Sequence, residues 1–167
     1  MTDLVALHQQ LGDNSLFKDW KKQHPQSYLS HFFAQLNPAG NVITPWEIGY
    51  FDPSSEKITV FIPLENEEFQ IKPADEVFKQ ESQNVEKLEL KKELLSLEKA
   101  TLICLEKLPQ AFPTEKSGNG FLILQVLQKR TVWNFSFITT SLKFINLKID
   151  AYTGKVHSSE SIKLVQK

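Results

Sequence analysis

The sequence has one cysteine, Cys104, so no intrachain disulfide and no cysteine-based metal cage can form. A reducing compartment suits such a chain. No run of about 18 uncharged apolar residues occurs, and the first residues, Met1 to His8, carry no basic stretch ahead of an apolar one. The expectation is a protein without a membrane segment, working in the cytoplasm. The six glycines are scattered, and Ser117-Gly118-Asn119-Gly120 lacks the Lys-Ser/Thr pair of a phosphate-cradling loop, so nucleotide binding has no support. His8, His24, His31 and His157 fall at no ligand spacing on one helical face except His24 and His31, which are seven apart and separated by Pro25, and no metal or cofactor is expected. An excess of charge of one sign is also missing. Nineteen Lys and Arg face 20 Asp and Glu, for a formal net charge of −1, which argues against nucleic acid as a partner.

What is present is ordinary globular material. In 167 residues, 41% are hydrophobic and twelve are Phe, enough for the core of one domain or two small ones. The charge is unevenly placed: residues 1 to 75 hold 5 basic and 10 acidic side chains, and residues 116 to 167 hold 8 and 2. An acidic first half and a basic last third point first to complementarity within the chain, with head-to-tail pairing between chains or a basic face for an acidic partner as the alternatives.

Asn14 or Ser15 can cap a helix carrying Leu16, Phe17 and Trp20, broken near Pro25. Tyr28, Leu29, Phe32, Phe33 and Leu36 then repeat at i, i+1, i+4, i+5 and i+8, which predicts that the helix resumes and ends at Asn37-Pro38-Ala39-Gly40. From Pro45 the period is two. Trp46, Ile48 and Tyr50, then Ile58, Val60 and Ile62, predict a hairpin around Asp52-Pro53-Ser54-Ser55, followed by a short strand at Phe69-Gln70-Ile71 that stops at Pro73. Dense alternating charge over 76 to 94, including Lys79, Glu81 and Glu86, predicts a connector between residues 1–75 and 95–167. Ser96 caps a helix with Leu97, Ala100, Cys104, Leu105 and Leu108, ended by Pro109 and Pro113. Cys104 belongs to its buried face. Three strands follow, with alternating Leu122/Leu124/Val126, Trp133/Phe135/Phe137 and Ile145/Leu147/Ile149. The fold class is α+β, with helices on one side of antiparallel strands.

The two halves share an order of elements and a string. Asp52-Pro53-Ser54-Ser55-Glu56-Lys57-Ile58 resembles Asp150-Ala151-Tyr152-Thr153-Gly154-Lys155-Val156, each opening a strand after a turn in which Asp accepts from backbone two residues on. Glu56 stands where the second string has Gly154, a residue suited to positive φ. Residues 95 to 160 resemble the PepSY domain. The resemblance lies in Ser96-Leu97-Glu98-Lys99-Ala100, the helix end Lys107-Leu108-Pro109, a lone Trp133, and above all Asp150-Ala151-Tyr152-Thr153-Gly154-Lys155-Val156. Residues 14 to 72 form a diverged first copy in this reading. The resemblance implies two tandem helix-plus-antiparallel-sheet units, no enzymatic activity, and inhibition or chaperoning of a partner. Family members are mostly extracytoplasmic, which departs from the compartment expected above.

No catalytic constellation is legible, and Glu65, Glu67 and Glu68 fit a solvated turn. Trp46 and Trp133 are expected to fill core, with stacking on a ligand as the alternative role. Lys148 and Lys155 are the candidate binding cations of the basic third, Lys148 on the face opposite Lys143. The expected function is binding of a protein or peptide on a sheet face or edge, with a homodimer among the possible partners. The alternative is an apolar small molecule in a helix-to-sheet cleft lined by Trp46, Phe32 and Phe33, or by Trp133.

Overall fold

The structure, a computed structural model, describes residues 3–76 and 84–164. Lys79 and Glu81 of the expected connector lie outside them. Leu4, Leu7 and Leu11 recur at helical spacing behind Asp3, whose carboxylate accepts from Val5 N at 2.9 Å and Ala6 N at 3.3 Å. They form helix α1 (Leu4–Asp13), an element not among those expected from the sequence, which begin at Asn14. Asn14 caps α2 (Ser15–Gln23) through Phe17 N at 3.2 Å, and Ser96 caps α3 (Leu97–Ala111) through Lys99 N at 3.3 Å, both as expected. Pro109 does not end α3 but sits in its last turn.

The strands are β1 (Tyr28–Leu36), β2 (Glu47–Asp52), β3 (Lys57–Pro63), β4 (Phe69–Glu76), β5 (Ser117–Leu127), β6 (Arg130–Thr139), β7 (Lys143–Asp150) and β8 (Val156–Lys163). They form one antiparallel sheet in the order β4-β3-β2-β1-β5-β6-β7-β8. Residues 28 to 36, expected to be helical, are therefore strand β1 at the centre of the sheet. The cause is a bulge: Leu29 pairs with Tyr50 and His31 with Gly49, so Ser30 is extra. Leu29 and Phe32, an odd three residues apart, consequently point to the same core, which imitates a helical period. The strand at Phe69 also runs past Pro73 to Glu76. β4 is an edge strand with its own register shift opposite Ile58 and Val60, where a missing donor costs no ladder bond.

The three described α-helices share one side of the sheet, with Leu4, Leu7 and Leu11 of α1 in the core there. Phe17 and Trp20 of α2 meet Tyr50 and Phe61 with ring centroids 5.0 to 5.9 Å apart, and Ala100, Cys104 and Leu108 of α3 join Phe135, Leu147 and Ile149 in the same core. The connector is described from Asn84 and straps one end of the sheet. Leu88 N donates to Leu29 O at 2.8 Å, Tyr28 OH to Val85 O at 2.5 Å, and Leu95 N to Ala151 O at 2.8 Å, while Leu88 itself is buried. The strand order is symmetrical about the β1–β5 seam, yet the shared strings are not at equivalent places. The first turns β2 into β3 and the second turns β7 into β8. Both turns are built alike: Asp52 accepts from Ser54 N at 2.9 Å and Asp150 from Tyr152 N at 2.9 Å, as expected. Glu56 N and Gly154 N each bond back four residues, with φ of +56° and +76°. The string thus marks one hairpin solution used twice.

Candidate functional site

Strand alternation that sends Phe32, Ala34, Leu36, Ile48, Leu122, Leu124, Phe135 and Leu147 under the helices sends the intervening side chains to the other face. No described helix covers that face. Its centre is apolar where a solvated face would be polar. Phe33 of β1, Phe121 of β5 and Phe144 of β7 form a row with successive ring centroids 5.8 and 5.7 Å apart. Ile138 and Ile162 stand in register with Phe144 on the neighbouring strands and are 45% and 57% exposed. Such a contiguous uncovered patch is characteristic of a contact surface.

Beside the row lies a polar depression. Asn134, Ser136 and Asn146 are buried although they face away from the helices, because the longer Phe121, Phe144 and Lys148 side chains rise around them. Asn146 Nδ2 donates to Asn134 Oδ1 at 2.5 Å, to Ser136 Oγ at 2.8 Å and to Phe135 O at 3.2 Å. Lys148 Nζ donates to Asn146 Oδ1 at 2.7 Å. On the same face His31 takes the space beside Gly49, where a Cβ would lie 2.1 Å from its imidazole, and its Nδ1 is 2.9 Å from Ser30 Oγ. Burial pushes this imidazole down to about 4, so it is neutral at physiological pH.

The sequence candidates are dispersed. Trp46 and Trp133 are 4% and 1% exposed, on the helix side, and Trp133 Nε1 donates to Leu95 O at 3.1 Å. Each still borders a hollow. Trp46 lines a cleft of about 860 Å³ with Leu7, Thr101, Leu102 and Leu105, and Trp133 one of about 470 Å³ with Leu4, Leu95 and Leu97. Phe32 is fully buried and Phe33 is on the opposite face, so neither joins Trp46 in that cleft. Lys148 is on the uncovered face, and Lys155 is exposed at the β7–β8 turn, away from it. The structure brings none of the four together. Phe121, Phe144, Asn134, Ser136 and Asn146 are not among the sequence candidates, and Phe33 is one only as a wall of the cleft beside Trp46, from which the sheet separates it; the available signal was phenylalanine at the nominally polar positions of alternating strands.

Three further titratable sites are set by burial and hydrogen bonding. Cys104 is 1% exposed, and burial raises its thiol to about 12. His8 Nε2 lies 2.6 Å from Tyr50 OH; burial lowers the imidazole and lifts the phenol to about 12. His24 Nδ1 lies 2.9 Å from Asp52, whose carboxyl is held low by the Ser54 hydroxyl and then by His24. Among the described residues no three His, Cys, Asp or Glu gather as a metal site, and no helix is long and apolar enough to cross a membrane.

No protein-family model and no curated protein matches the sequence. The crystal structure of a "putative lipoprotein" from Clostridium difficile 630 has a similar fold, with a TM-score of 0.51 at 11% identity over 87% of this chain and 90% of that one. The likeness is one of fold alone.

Proposed function

We propose that this protein is a non-enzymatic binding module that seats a protein or peptide on the uncovered face of its sheet. The observation that carries the reading is the row of Phe33, Phe121 and Phe144 on a face that no described helix covers. The three rings are half-buried, and aromatic side chains are enriched at the cores of protein interfaces. The module is read as two PepSY-like units, α1 to β4 and α3 to β8, joined edge to edge at the β1–β5 seam. The symmetrical strand order supports that reading. A reducing compartment is proposed from the single cysteine, which is buried and unreactive.

The test is capture of binders from native extract by the purified protein, by a Phe121→Ala/Phe144→Ala variant, and by Leu102→Glu on the outer face of α3. The reading predicts a protein that the wild type and Leu102→Glu retain and the double variant binds at least about tenfold more weakly. The second reading is an apolar small molecule in the cleft bordered by Trp46, Leu102 and Leu105, favoured by its volume and by Leu102 standing 68% exposed. An extracted small molecule lost only by Leu102→Glu would replace the first reading with the second.

A further inference from the structure

We propose that the depression beside Phe121 and Phe144 is an anchor subsite for the phenol ring of a partner's tyrosine. This rests on the uncovered face being the binding surface. The volume, about 230 Å³, is below the roughly 300 to 1,000 Å³ of sites for drug-sized ligands. A single side chain is the matching occupant.

The walls select an aromatic ring. Phe121 and Phe144 offer ring faces and edges, and Ile162, in register with Phe144, extends the apolar side. The floor selects a hydroxyl. Asn134, Ser136 and Asn146 are 8%, 2% and 7% exposed, and Asn146 spends its amide on Asn134, Ser136 and Phe135. Among the described residues no fully buried side-chain nitrogen or oxygen lacks a partner, and Asn134 Nδ2 makes no hydrogen bond. That donor is therefore open to the depression. Lys148 has used one of three donors, on Asn146, and Glu160 brings a carboxylate to the rim.

A phenol oxygen can accept from Asn134 or Lys148 while its O–H donates to the Glu160 carboxylate. Phenylalanine would fill the walls and leave the floor unanswered. An aspartate or glutamate would satisfy Lys148, meet Glu160 as a like charge, and leave the rings uncovered. With one cation and one anion at the rim, a neutral amphipathic group is the complement.

The experiment is a titration of the isotope-labelled full chain, watching the side-chain amide signals of Asn134 and Asn146. The probes are N-acetyl-tyrosinamide, N-acetyl-phenylalaninamide and N-acetyl-aspartamide. Saturable shifts with the tyrosine probe are expected, with the phenylalanine probe weaker by about fivefold and the aspartate probe silent. Asn134→Ala should remove the preference for tyrosine, and Phe144→Ala should remove binding. Glu160→Gln, at an exposed position, should narrow the preference if Asn134→Ala does not fold. Equal response to the tyrosine and phenylalanine probes, preference for the aspartate probe, or no saturable shift would overturn the subsite. A captured partner that still depends on Phe33 and Phe121 would then leave the surface reading standing, which separates the two failures.

Discussion

His31 and Gly49 illustrate how tightly single residues fit the uncovered face. A Cβ at residue 49 would sit 2.1 Å from the His31 ring, so Gly49→Ala should cost about 1 to 3 kcal/mol in denaturant unfolding, and the cost should fall in a His31→Ala background. The imidazole also sets a pH dependence. Its folded value, about 4, is below the unfolded 6.5, so the unfolded chain binds protons more readily and stability is lost as pH falls through that interval. The loss should approach about 3 kcal/mol by pH 4, with His8 acting in the same direction. Unfolding curves at pH 7.5 and 4.5 should converge in the His31→Gln variant relative to wild type; an unchanged difference would show that His31 is not the group responsible. At Trp133 the bond from Nε1 to Leu95 O ties β6 to the strap, and Trp133→Phe should cost about 1 kcal/mol for that bond plus a packing loss.

At the scale of elements, helix caps and hairpin turns are where local chemistry acts alone. Ser96→Ala should lower stability by about 1 kcal/mol by freeing Lys99 N. Gly154→Ala should cost more, since φ is +76° and the new methyl group would stand 3.0 Å from Ile103 Cδ1. Thermal unfolding of both variants checks the order. These features were legible because a cap or a turn is decided within a few residues. The caps at Asn14 and Ser96, the carboxylate-to-backbone turns of Asp52 and Asp150, the α+β class and the strands β2, β3 and β5 to β7 all follow from local spacing. β1 was not legible, because the extra residue at Ser30 breaks the alternation, and a bulge answers to a partner strand that sequence does not display. α1 carries the same kind of local signal, an Asp3 cap ahead of Leu4, Leu7 and Leu11.

For the whole molecule, the decisive fact is that two four-stranded meanders join through β1 and β5 into one sheet with helices on a single side. That union turns Phe33, Phe121 and Phe144, distant in sequence, into one row. It also explains why the candidate site could not be read in advance. Trp46 and Trp133 are the large rings that a sequence singles out, and the sheet places both under the helices, while the proposed binding face is assembled from positions on the side of the sheet away from them. The most direct test is hydroxyl-radical footprinting of the protein with and without its captured partner. The account predicts that oxidation of Phe33, Phe121, Phe144 and Ile138 falls in the complex while Leu102 and Leu105 react as before. Protection of Leu102 and Leu105, with the phenylalanine row still reactive, would contradict it.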